Sequence, residues 1–545
     1  MPGPPGGVRH AIVVTVVLLG VAGVLAVPGA GATGTHTAGP NATVDQPTIV
    51  AAYPNPVTDG DAGEFVVLSV PDERSLSAYT LGDDETTATL PNVSAAGRVV
   101  LTGDPAAVPD TVEGRVVEVS GFPALANTGE PLTLAAGNRT LDTLTYVDAS
   151  TDELTDGEAW RPLSGTDRDP VGGGPTTVEA FVLPDAPDAA VEAIRGAEER
   201  LLLAGYTFAS ERVADALVAA EERGAAVEVL LDGGPVGGFT NRSVTILDRL
   251  VDNGVTVSML AGQTAPYRFH HPKYAVADDK AVVLTENWKP AGVGGHSSRG
   301  WGMTTTQPAV VEGLVRTFRA DATNRSTVPW ERHREGVSVE NATPASGRYP
   351  SRFDPATLDA DRVELLVAPD NAVERIESLL ANASDSIRIL QVSVDGPENR
   401  LLRAAIAAAR RGVDVDLLLS RAWYAAEENR ALAANLTATA EQSGVPLSVR
   451  LADPNGRYEK VHAKGLVVDG EHVVLGSLNW NDNAFENNRE VVLLVSGEAV
   501  GAYYGRVFAA DWEGGARRLQ LGLVVMLLVV VAVAAAVGRK IQFRP

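Results

Sequence analysis

The spacing of hydrophobic and polar positions changes along the chain and divides it into two kinds of region. Between residues 48 and 161, short apolar runs alternate with turns rich in Gly, Pro and Asp, without helical periodicity of useful length. This pattern predicts an all-β domain, most simply a sandwich. From residue 178 onward, buried strands alternate with amphipathic helices, which predicts an α/β fold in that part of the chain.

The α/β region carries the same pattern twice. In each copy a helix ends in Arg-Gly, at Arg223 and again at Arg411, and a buried strand follows directly. Gly at this position fits a helix C-cap. A repeat of about 190 residues is too long for a solenoid, so it predicts two homologous α/β lobes. We place them at residues 178–323 and 361–512.

Two apolar segments near the ends predict the cellular location. Residues 11–27 follow a single Arg and precede small residues, as in a secretory signal. Residues 519–537 contain no charge and would cover about 28 Å as a helix, enough to cross a bilayer core. Basic residues flank this second segment. We therefore expect a single-pass cell-membrane protein with most of the chain extracellular and a cytoplasmic C-terminus.

These patterns together predict nine consecutive segments, with linkers wherever Gly, Thr, Pro or other polar residues dominate. The segments are a signal peptide (1–32), a linker (33–47), a β-sandwich (48–161), a linker (162–177), the first lobe (178–323), a linker (324–360), the second lobe (361–512), a transmembrane helix (519–537) and a cytoplasmic tail (538–545).

Composition and charge narrow the function classes. The 545 residues include 69 acidic and 45 basic side chains, for a formal charge of −24. This balance argues against a general duplex-DNA or polybasic membrane-binding surface, although it allows a local basic pocket. The absence of Cys excludes disulfides, thiolate nucleophiles and Cys-ligated metals. A composition so acidic and so poor in Lys is typical of proteins in high salt, and eight N-x-S/T triplets predict glycosylation.

The chemistry is concentrated in one string that occurs once per lobe. HPKYAVAD begins at His271 and HAKGLVVD begins at His462, so both read His-x-Lys-x-x-x-x-Asp. The surroundings are strand-like, and residues i and i+2 of a strand point to the same face. We therefore expect His271 and Lys273 to share one face, and His462 and Lys464 to share another.

Each string is followed by an apolar strand that ends in Asn-Trp, at Asn287 and at Asn479. Two lobes that meet face to face would bring two imidazoles, two ammonium groups and two amides around one atom. This set suits a phosphodiester, because Lys and Asn can bind the non-bridging oxygens while one His attacks phosphorus and the other protonates the leaving oxygen. Lysine is a poor metal ligand, so the pattern disfavours a metal site.

The doubled motif, with each copy followed by a strand ending in Asn, resembles the phospholipase D superfamily over residues 178 to about 510. The resemblance implies two α/β/α lobes, a shared site at their interface, and a two-step reaction through a covalent phosphohistidine without metal or organic cofactor. It also implies a role for each motif residue: His271 as nucleophile, His462 as general acid, Lys273, Lys464, Asn287 and Asn479 as phosphate ligands, Asp278 and Asp469 as structural residues, and Ser477 as a further candidate phosphate ligand.

The family also has an acid some 25 to 30 residues after each His, which orients an imidazole, often in the opposite lobe. Glu490 fills that place in the second lobe, whereas Gly300 stands there in the first. The first lobe also reads LTENW where the second reads LGSLNW. We therefore expect Glu490 to orient His271, and we expect His462 to lack an acidic partner.

The predicted β-sandwich has its own resemblance. The strings YPNP, GEFVVL, LSAYTLGDD and AAGRVVLTG, between residues 53 and 103, resemble the lamin-tail domain, an immunoglobulin-like sandwich. That family implies a binding or targeting module, so a surface ligand is expected, and it supplies no catalytic residue.

The function expected from the sequence is an extracytoplasmic, membrane-anchored phosphodiesterase that hydrolyses or transfers its substrate. A phospholipid is favoured because an anchored enzyme works near lipid headgroups. Two alternatives stay open: a cell-surface nuclease of the same superfamily, and a non-catalytic surface binding protein whose site has decayed, as Gly300 suggests. Both half-sites lie in one chain, so a monomer is expected.

Overall fold

The computed structural model describes residues 34–38 and 46–514, apart from short gaps at 57–61, 84, 110–111, 113, 148, 150–152, 157–159, 164–167, 263–264 and 325. The predicted signal peptide, transmembrane helix and cytoplasmic tail lie outside these residues. Within them, no helix is both long enough and apolar enough to cross a membrane.

The N-terminal domain consists of two β-sheets that share an apolar core, with members such as Leu68 and Leu134 from opposite sheets. One sheet has the order β1-β9-β8-β4-β5 and the other β11-β10-β2-β3-β6-β7. The lamin-tail resemblance stays a prediction. The strands are β1 Gly34–Ala38, β2 Thr48–Tyr53, β3 Phe65–Ser75, β4 Thr80–Gly82, β5 Thr87–Thr89, β6 Ser94–Thr102, β7 Arg115–Glu118, β8 Pro131–Ala136, β9 Arg139–Tyr146, β10 Glu153–Thr155 and β11 Trp160–Pro162, with a 3-10 turn at Leu76–Ala78.

The first lobe has a mixed sheet of order β21-β17-β15-β14-β18-β19-β20-β13-β23, in which β14, β15 and β17 are parallel. The strands of this part of the chain are β12 Val171–Gly173, β13 Thr176–Leu183, β14 Arg200–Gly205, β15 Ala226–Asp232, β16 Phe239–Thr240, β17 Thr256–Leu260, β18 Tyr274–Ala277, β19 Lys280–Leu284, β20 Ser298–Thr305, β21 Thr327–Pro329, β22 Val339–Glu340 and β23 Ala356–Ala360. The helices are α1 Ala189–Arg195, α2 Glu211–Glu222, α3 Asn241–Asp252, α4 Pro308–Ala322 and α5 Trp330–Arg334.

The second lobe repeats this plan in a sheet of order β12-β24-β31-β30-β29-β25-β26-β27, with β25, β26 and β27 parallel. Its strands are β24 Arg362–Ala368, β25 Ser386–Gln391, β26 Asp414–Leu419, β27 Leu447–Leu451, β28 Lys460–Val461, β29 Gly465–Val468, β30 His472–Gly476 and β31 Glu490–Ser496. Its helices are α6 Ala372–Asn382, α7 Arg400–Arg410, α8 Ala426–Ser443 and α9 Glu498–Glu513, and a π-helical turn covers Asn483–Asn487.

The helix ends follow from local sequence. Ser210 before α2 and Asn399 before α7 each accept a hydrogen bond from a backbone N–H of the first helical turn. This capping satisfies a donor that has no partner within the helix. Gly224 and Gly412 follow the helix ends with φ of +97° and +101°, which confirms the predicted glycine stops.

The two lobes share one core. Helices α1–α3 pack on the outer face of the first sheet, and α6–α8 pack on the outer face of the second. The inner faces of both sheets, together with α4 and α9, form a single apolar cluster that includes Tyr274, Met303, Leu390 and Leu493. The lobes are therefore joined by buried apolar surface, and the strand ends that carry the motifs lie at this junction.

Six short elements lie in segments that were predicted as linkers: β1, β12, β21, α5, β22 and β23. Three of them illustrate the reason. β12 pairs with β24 in the sheet of the second lobe, β23 pairs with β13 in the sheet of the first, and β1 pairs with β9 in the sandwich. Each adds a strand at or near a sheet edge, where backbone groups would otherwise lack partners. Such pairing depends on main-chain hydrogen bonds, which amino-acid composition does not reveal. For that reason the sequence predicted flexible linkers at these positions.

Candidate active site

The two motif histidines lie in short extended segments that pair with the opposite lobe. His271 donates its backbone N–H to the carbonyl of Arg489, and His462 donates to the carbonyl of Arg299, both at 3.0 Å. The strands expected to contain the histidines begin only after the lysines, as β18 and β29. The backbone just before these strands, which includes both histidines, pairs across the lobe interface instead. This pairing brings the two histidines to one junction.

Glu490 contacts His271 across that junction, as the sequence led us to expect. The two carboxylate oxygens lie 2.9 and 2.8 Å from Nδ1, and Glu490 is fully buried. A carboxylate accepts hydrogen bonds, so Nδ1 carries the proton and Nε2 keeps its lone pair. The ring of Tyr206 packs edge-on against the imidazole, with centroids 4.7 Å apart. His271 is therefore held in the tautomer that a nucleophile requires.

His462 has an acidic partner that the sequence did not predict. Its Nδ1 lies 3.4 Å from Oε2 of Glu286, a buried residue directly before Asn287. Nζ of Lys464 lies 3.2 and 3.3 Å from the two ring nitrogens. The expectation that His462 lacks an acid because Gly300 replaces it is therefore wrong, since an acid reaches this ring from another position in the first lobe.

The strand before Glu286 is also not truncated. The backbone N–H of Trp301 donates to Oγ1 of Thr285 at 2.9 Å, as that of Val491 donates to Oγ of Ser477 at 2.9 Å, so Thr285 and Ser477 are equivalent. The residue missing from the first lobe belongs to the preceding turn, which has two residues between β18 and β19 and three between β29 and β30. Glu286 consequently stands where the second lobe has a leucine.

Four of the six lysines of the chain gather at this junction. Lys273 donates to the carbonyl of His271 and Lys464 to that of His462. The charges of Lys273, Lys464 and Lys289 interact with one another, and Lys460 interacts with Lys289. In a protein of charge −24, this is the local basic pocket that the composition left open.

Burial sets the ionisation of the site. Desolvation, followed by the charge of Lys464, lowers the pKa of His462 to about 4. Desolvation also lowers the pKa of Lys464 to about 8 and keeps the pKa of His271 well below its ordinary value. It raises the pKa of Glu490 as well, and the positive charges of Lys273 and Lys464 oppose that rise and favour the carboxylate. Both imidazoles are thus neutral at pH 7 in the free protein. A bound phosphate anion stabilises the imidazolium, so His462 can take up a proton from solvent when substrate binds and then act as the general acid.

The remaining predicted ligands differ in their surroundings. Asn287 is buried, and its Oδ1 has no hydrogen-bond partner among the described residues. Asn479 follows β30 at the equivalent place and is half-buried. The hydroxyl of Ser477 is fully buried and bonded to the backbone of Val491, so it supports the strand, and its contact with a phosphate stays a prediction.

The motif aspartates have the structural place that the resemblance implied. Asp278 accepts hydrogen bonds from the backbone N–H groups of residues 198–200, each at 2.9 Å. Asp469 accepts equivalent bonds from residues 384–386. Burial raises the pKa of both carboxyls, but the backbone donors together outweigh it and the net pKa is lowered. Both aspartates fix the turn after a motif strand.

Two buried arginines that sequence reasoning missed anchor the same junction. Their backbone carbonyls accept the N–H groups of the two motif histidines, and their guanidinium groups neutralise buried carboxylates. The available signal was the matched strings SSRG and NNRE. The ion pairs are Arg299–Asp185 at 2.5 Å, Arg299–Asp511 at 2.9 Å, Arg489–Asp321 at 3.2 Å and Arg489–Asp370 at 3.1 Å.

Exposed apolar side chains border the site on both lobes. Trp423 follows β26 and is 88% exposed, and Val236 follows the equivalent strand β15 and is 76% exposed. Tyr424, beside Trp423, has Nζ of Lys460 5.2 Å from its ring centroid. The backbone N–H of Val236 donates to the hydroxyl of Tyr206 at 2.6 Å. Each apolar tip is therefore one contact away from a residue of the site.

Comparisons with known proteins match the two lobes. The profile of the family described as cardiolipin synthase, PLD-like domain, matches residues 190–321 and 376–512. The mitochondrial cardiolipin hydrolases of Xenopus laevis and Xenopus tropicalis are 30% identical over 144 residues and 29% identical over 147 residues. These matches cover 26% of this chain, which spans 62% of the length of each relative. Among solved structures, phosphatidylserine synthase of Haemophilus influenzae aligns at 16% identity with a TM-score of 0.45, covering 61% of this chain and 84% of that one.

Proposed function

Because the chain belongs to the phospholipase D superfamily, we propose that it is a phosphodiesterase with one active site between its two lobes. The observation that carries this proposal is the meeting of two histidines, each beside a buried carboxylate of the opposite lobe, with four lysines. The imidazoles can supply the nucleophile and the acid, and the lysines can supply the positive charge, so we propose a reaction without metal or organic cofactor.

The proposed reaction has two steps. First, Nε2 of His271 attacks phosphorus, the bond from phosphorus to the leaving alcohol oxygen breaks, and His462 donates a proton to that oxygen. Second, His462 takes a proton from water, the resulting hydroxide oxygen attacks phosphorus, and the phosphorus–nitrogen bond breaks to restore His271. An alcohol in place of water would give transfer. In both steps the lysines, with Asn287 and Asn479, bind the non-bridging oxygens.

A phospholipid is the substrate that we favour. The apolar tips formed by Trp423 and Val236 suit a site that works at a lipid–water interface, where exposed aromatic side chains are stable. The related proteins from Xenopus are cardiolipin hydrolases by name, which supports the same class. The finding of Glu286 beside His462 weakens the alternative of a decayed site, since that alternative rested on the missing acid.

A location at the membrane would fit the same substrate. We propose that residues 519–537 anchor the chain and that the lobes lie outside the cytoplasm. The last described helix, α9, ends at Glu513, and the next residue lies against Asp453, just beyond the carboxyl end of β27. The loop with Trp423 follows the carboxyl end of the neighbouring parallel strand β26. An anchor that begins a few residues later would keep this edge of the lobe close to the bilayer.

The test of substrate and cofactor is one panel of assays on the full chain in high salt. Cardiolipin, phosphatidylglycerol and phosphatidylcholine vesicles, single-stranded DNA and duplex DNA are each supplied with and without EDTA. We expect headgroup release from phospholipid at an unchanged rate in EDTA. DNA cleavage without lipid hydrolysis would favour the nuclease alternative, and complete loss of activity in EDTA would indicate a metal enzyme.

The pKa of Lys464 predicts an alkaline limit on substrate binding. Desolvation lowers this pKa to about 8, so the ammonium loses its charge as the pH rises through that value. We expect KM for a soluble phosphodiester to be flat from pH 6 to 7.5 and to rise about tenfold by pH 9. Lys464→Arg, whose guanidinium stays charged, should keep KM flat to pH 9 even if kcat falls. A wild-type KM that does not change up to pH 9 would contradict this assignment.

A further inference from the structure

We propose that Glu286 is the positioning acid of His462 and that it replaces, from a neighbouring strand, the acid that the first lobe lacks at Gly300. This inference rests on the proposed function, because it concerns the histidine assigned as general acid. In the second lobe the acid Glu490 opens β31 and a leucine stands on the adjacent strand end. In the first lobe the two positions are reversed: glycine opens the equivalent part of β20, and the acid follows β19.

The space around Gly300 supports an exchange between these positions. A Cβ atom placed on Gly300 would lie 2.2 Å from Cγ of Glu286, so Glu286 could not keep its present side-chain conformation if position 300 carried a side chain. The φ angle of Gly300 is not in the left-handed region, so its backbone would accept any residue. Gly292 leaves room in the same way, since its Cβ would lie 2.7 Å from Oε2 of Glu286. Two glycines thus surround the carboxylate.

The carboxylate also lies next to the imidazole, at an ion-pair distance. Glu286 is 2% exposed, Oε2 lies 3.4 Å from Nδ1 of His462, and Oε1 is buried without a hydrogen-bond partner among the described residues. A buried, incompletely bonded carboxylate is costly for stability, which points to a role in the site. Glu286 belongs to the first lobe and His462 to the second, so each of the two acids, Glu490 and Glu286, lies beside the histidine of the opposite lobe.

The alternative role for Glu286 is structural, as a counter-charge for Lys464, Lys289 and Lys273 around it. The two roles differ in the step that they affect. A positioning acid holds the proton on Nδ1 of His462 and thereby prepares Nε2 to exchange a proton with the leaving oxygen. A counter-charge changes the affinity for phosphate and leaves the protonated nitrogen unchanged.

The kinetic test compares leaving groups in the full chain. Glu286→Gln should lower kcat about 10- to 100-fold on a phosphodiester with an alkyl leaving group. The burst of p-nitrophenol from a p-nitrophenyl phosphodiester should change less than about threefold, because that leaving group departs without a proton. The matched control is Glu459→Gln, an acid near the cleft that contacts Ser297 and not His462. Equal losses on both substrates, or none, would overturn the positioning role.

A second measurement does not depend on turnover. The chain has eight histidines, so ¹⁵N-labelled histidine with His462→Ala for assignment gives the tautomer of this ring directly. Wild-type His462 should carry its proton on Nδ1, and Glu286→Gln should give a mixture of tautomers. If the wild-type chain cleaves no phosphodiester, the proposed function fails while this spectrum still decides the inference. Identical nitrogen shifts in both proteins would overturn it.

The exchange itself can be made by mutation. The double variant Glu286→Leu with Gly300→Glu gives the first lobe the pattern of the second, in which leucine precedes the asparagine and the acid opens the strand. Its kcat should be at least about tenfold higher than that of Glu286→Leu alone. Circular dichroism and urea midpoints show that each variant is folded. A folded double variant no more active than Glu286→Leu would contradict the idea that the two positions share one role.

Discussion

His271→Ala should lower kcat for phosphodiester hydrolysis at least about 1000-fold, equivalent to about 4 kcal/mol of transition-state stabilisation. His462→Ala should have an effect of similar size on a substrate with an alkyl leaving group. The first variant removes the atom that attacks phosphorus, and the second removes the proton that the leaving oxygen needs. Both side chains lie in segments fixed by backbone pairing to the opposite lobe, so the fold should survive. Steady-state rates with circular dichroism on the full chain measure both.

The two histidines can be told apart by trapping. Wild-type protein quenched in alkaline detergent after mixing with a ³²P-labelled substrate should retain label, because the phosphorus–nitrogen bond of a phosphohistidine is stable in base and hydrolyses in acid. His271→Ala should retain none. His462→Ala should still release p-nitrophenol in a burst from an activated phosphodiester, because that step needs no proton. His472→Ala is the control, since this side chain bonds Ser496 at the far end of β30 and should leave kcat unchanged. Label retained by His271→Ala would assign the nucleophile elsewhere.

Arg299→Met should lower the free energy of unfolding by about 3–5 kcal/mol. The guanidinium is fully buried and lies 2.5 Å from Asp185 and 2.9 Å from Asp511. Removing it leaves carboxylates in a site of low polarity without this cation, which is far more costly than losing an exposed ion pair. Urea unfolding of the full chain, followed by circular dichroism, measures the change.

The matched control for Arg299 is Arg195→Met. Arg195 pairs with Glu192 at 2.6 Å, but the arginine side chain is 57% exposed, so we expect a loss of less than about 1 kcal/mol. Replacing Asp185 by Asn in the Arg299→Met background should restore part of the stability, because it removes the charge that has lost its cation, whereas Asp511 keeps its ion pair with Arg457. Equal losses of unfolding free energy in Arg299→Met and Arg195→Met would show that burial of the ion cluster contributes little to stability.

The sequence predicted those parts of the site that depend on local strings and on their duplication. The doubled motif and the distance from each His to its asparagine were enough to expect two lobes, a shared junction, and Glu490 beside His271. The role of Glu286 could not be predicted in that way. That role depends on how far a side chain reaches between neighbouring strands. The one-residue difference between LTENW and LGSLNW suggested that a residue had been lost at the strand end, whereas the turn before the strand is the shorter part. The acid directly before Asn287 and the absence of an acid at Gly300, considered together, could have indicated Glu286 as the partner of His462.

Ser477 and the ion clusters show a second limit. A hydroxyl at the end of a strand can face a ligand or close a backbone hydrogen bond, and only the register of β30 against β31 distinguishes the two. Arg299 and Arg489 occur among many arginines, and their carboxylate partners are distant in sequence. Pairings of this kind depend on tertiary packing, which hydrophobic periodicity does not describe.

The exchanged edge strands have a consequence for how the protein is made. The sheet of the first lobe includes β23, so it lacks a strand until residue 360 has left the ribosome. The sheet of the second lobe includes β12, which is synthesised before the first lobe begins. Neither half is complete as an independent fragment, and a chain cut between them would leave two open edges. We infer that the two lobes depend on each other for a complete sheet, so the order in which their edge strands leave the ribosome couples the folding of one lobe to that of the other.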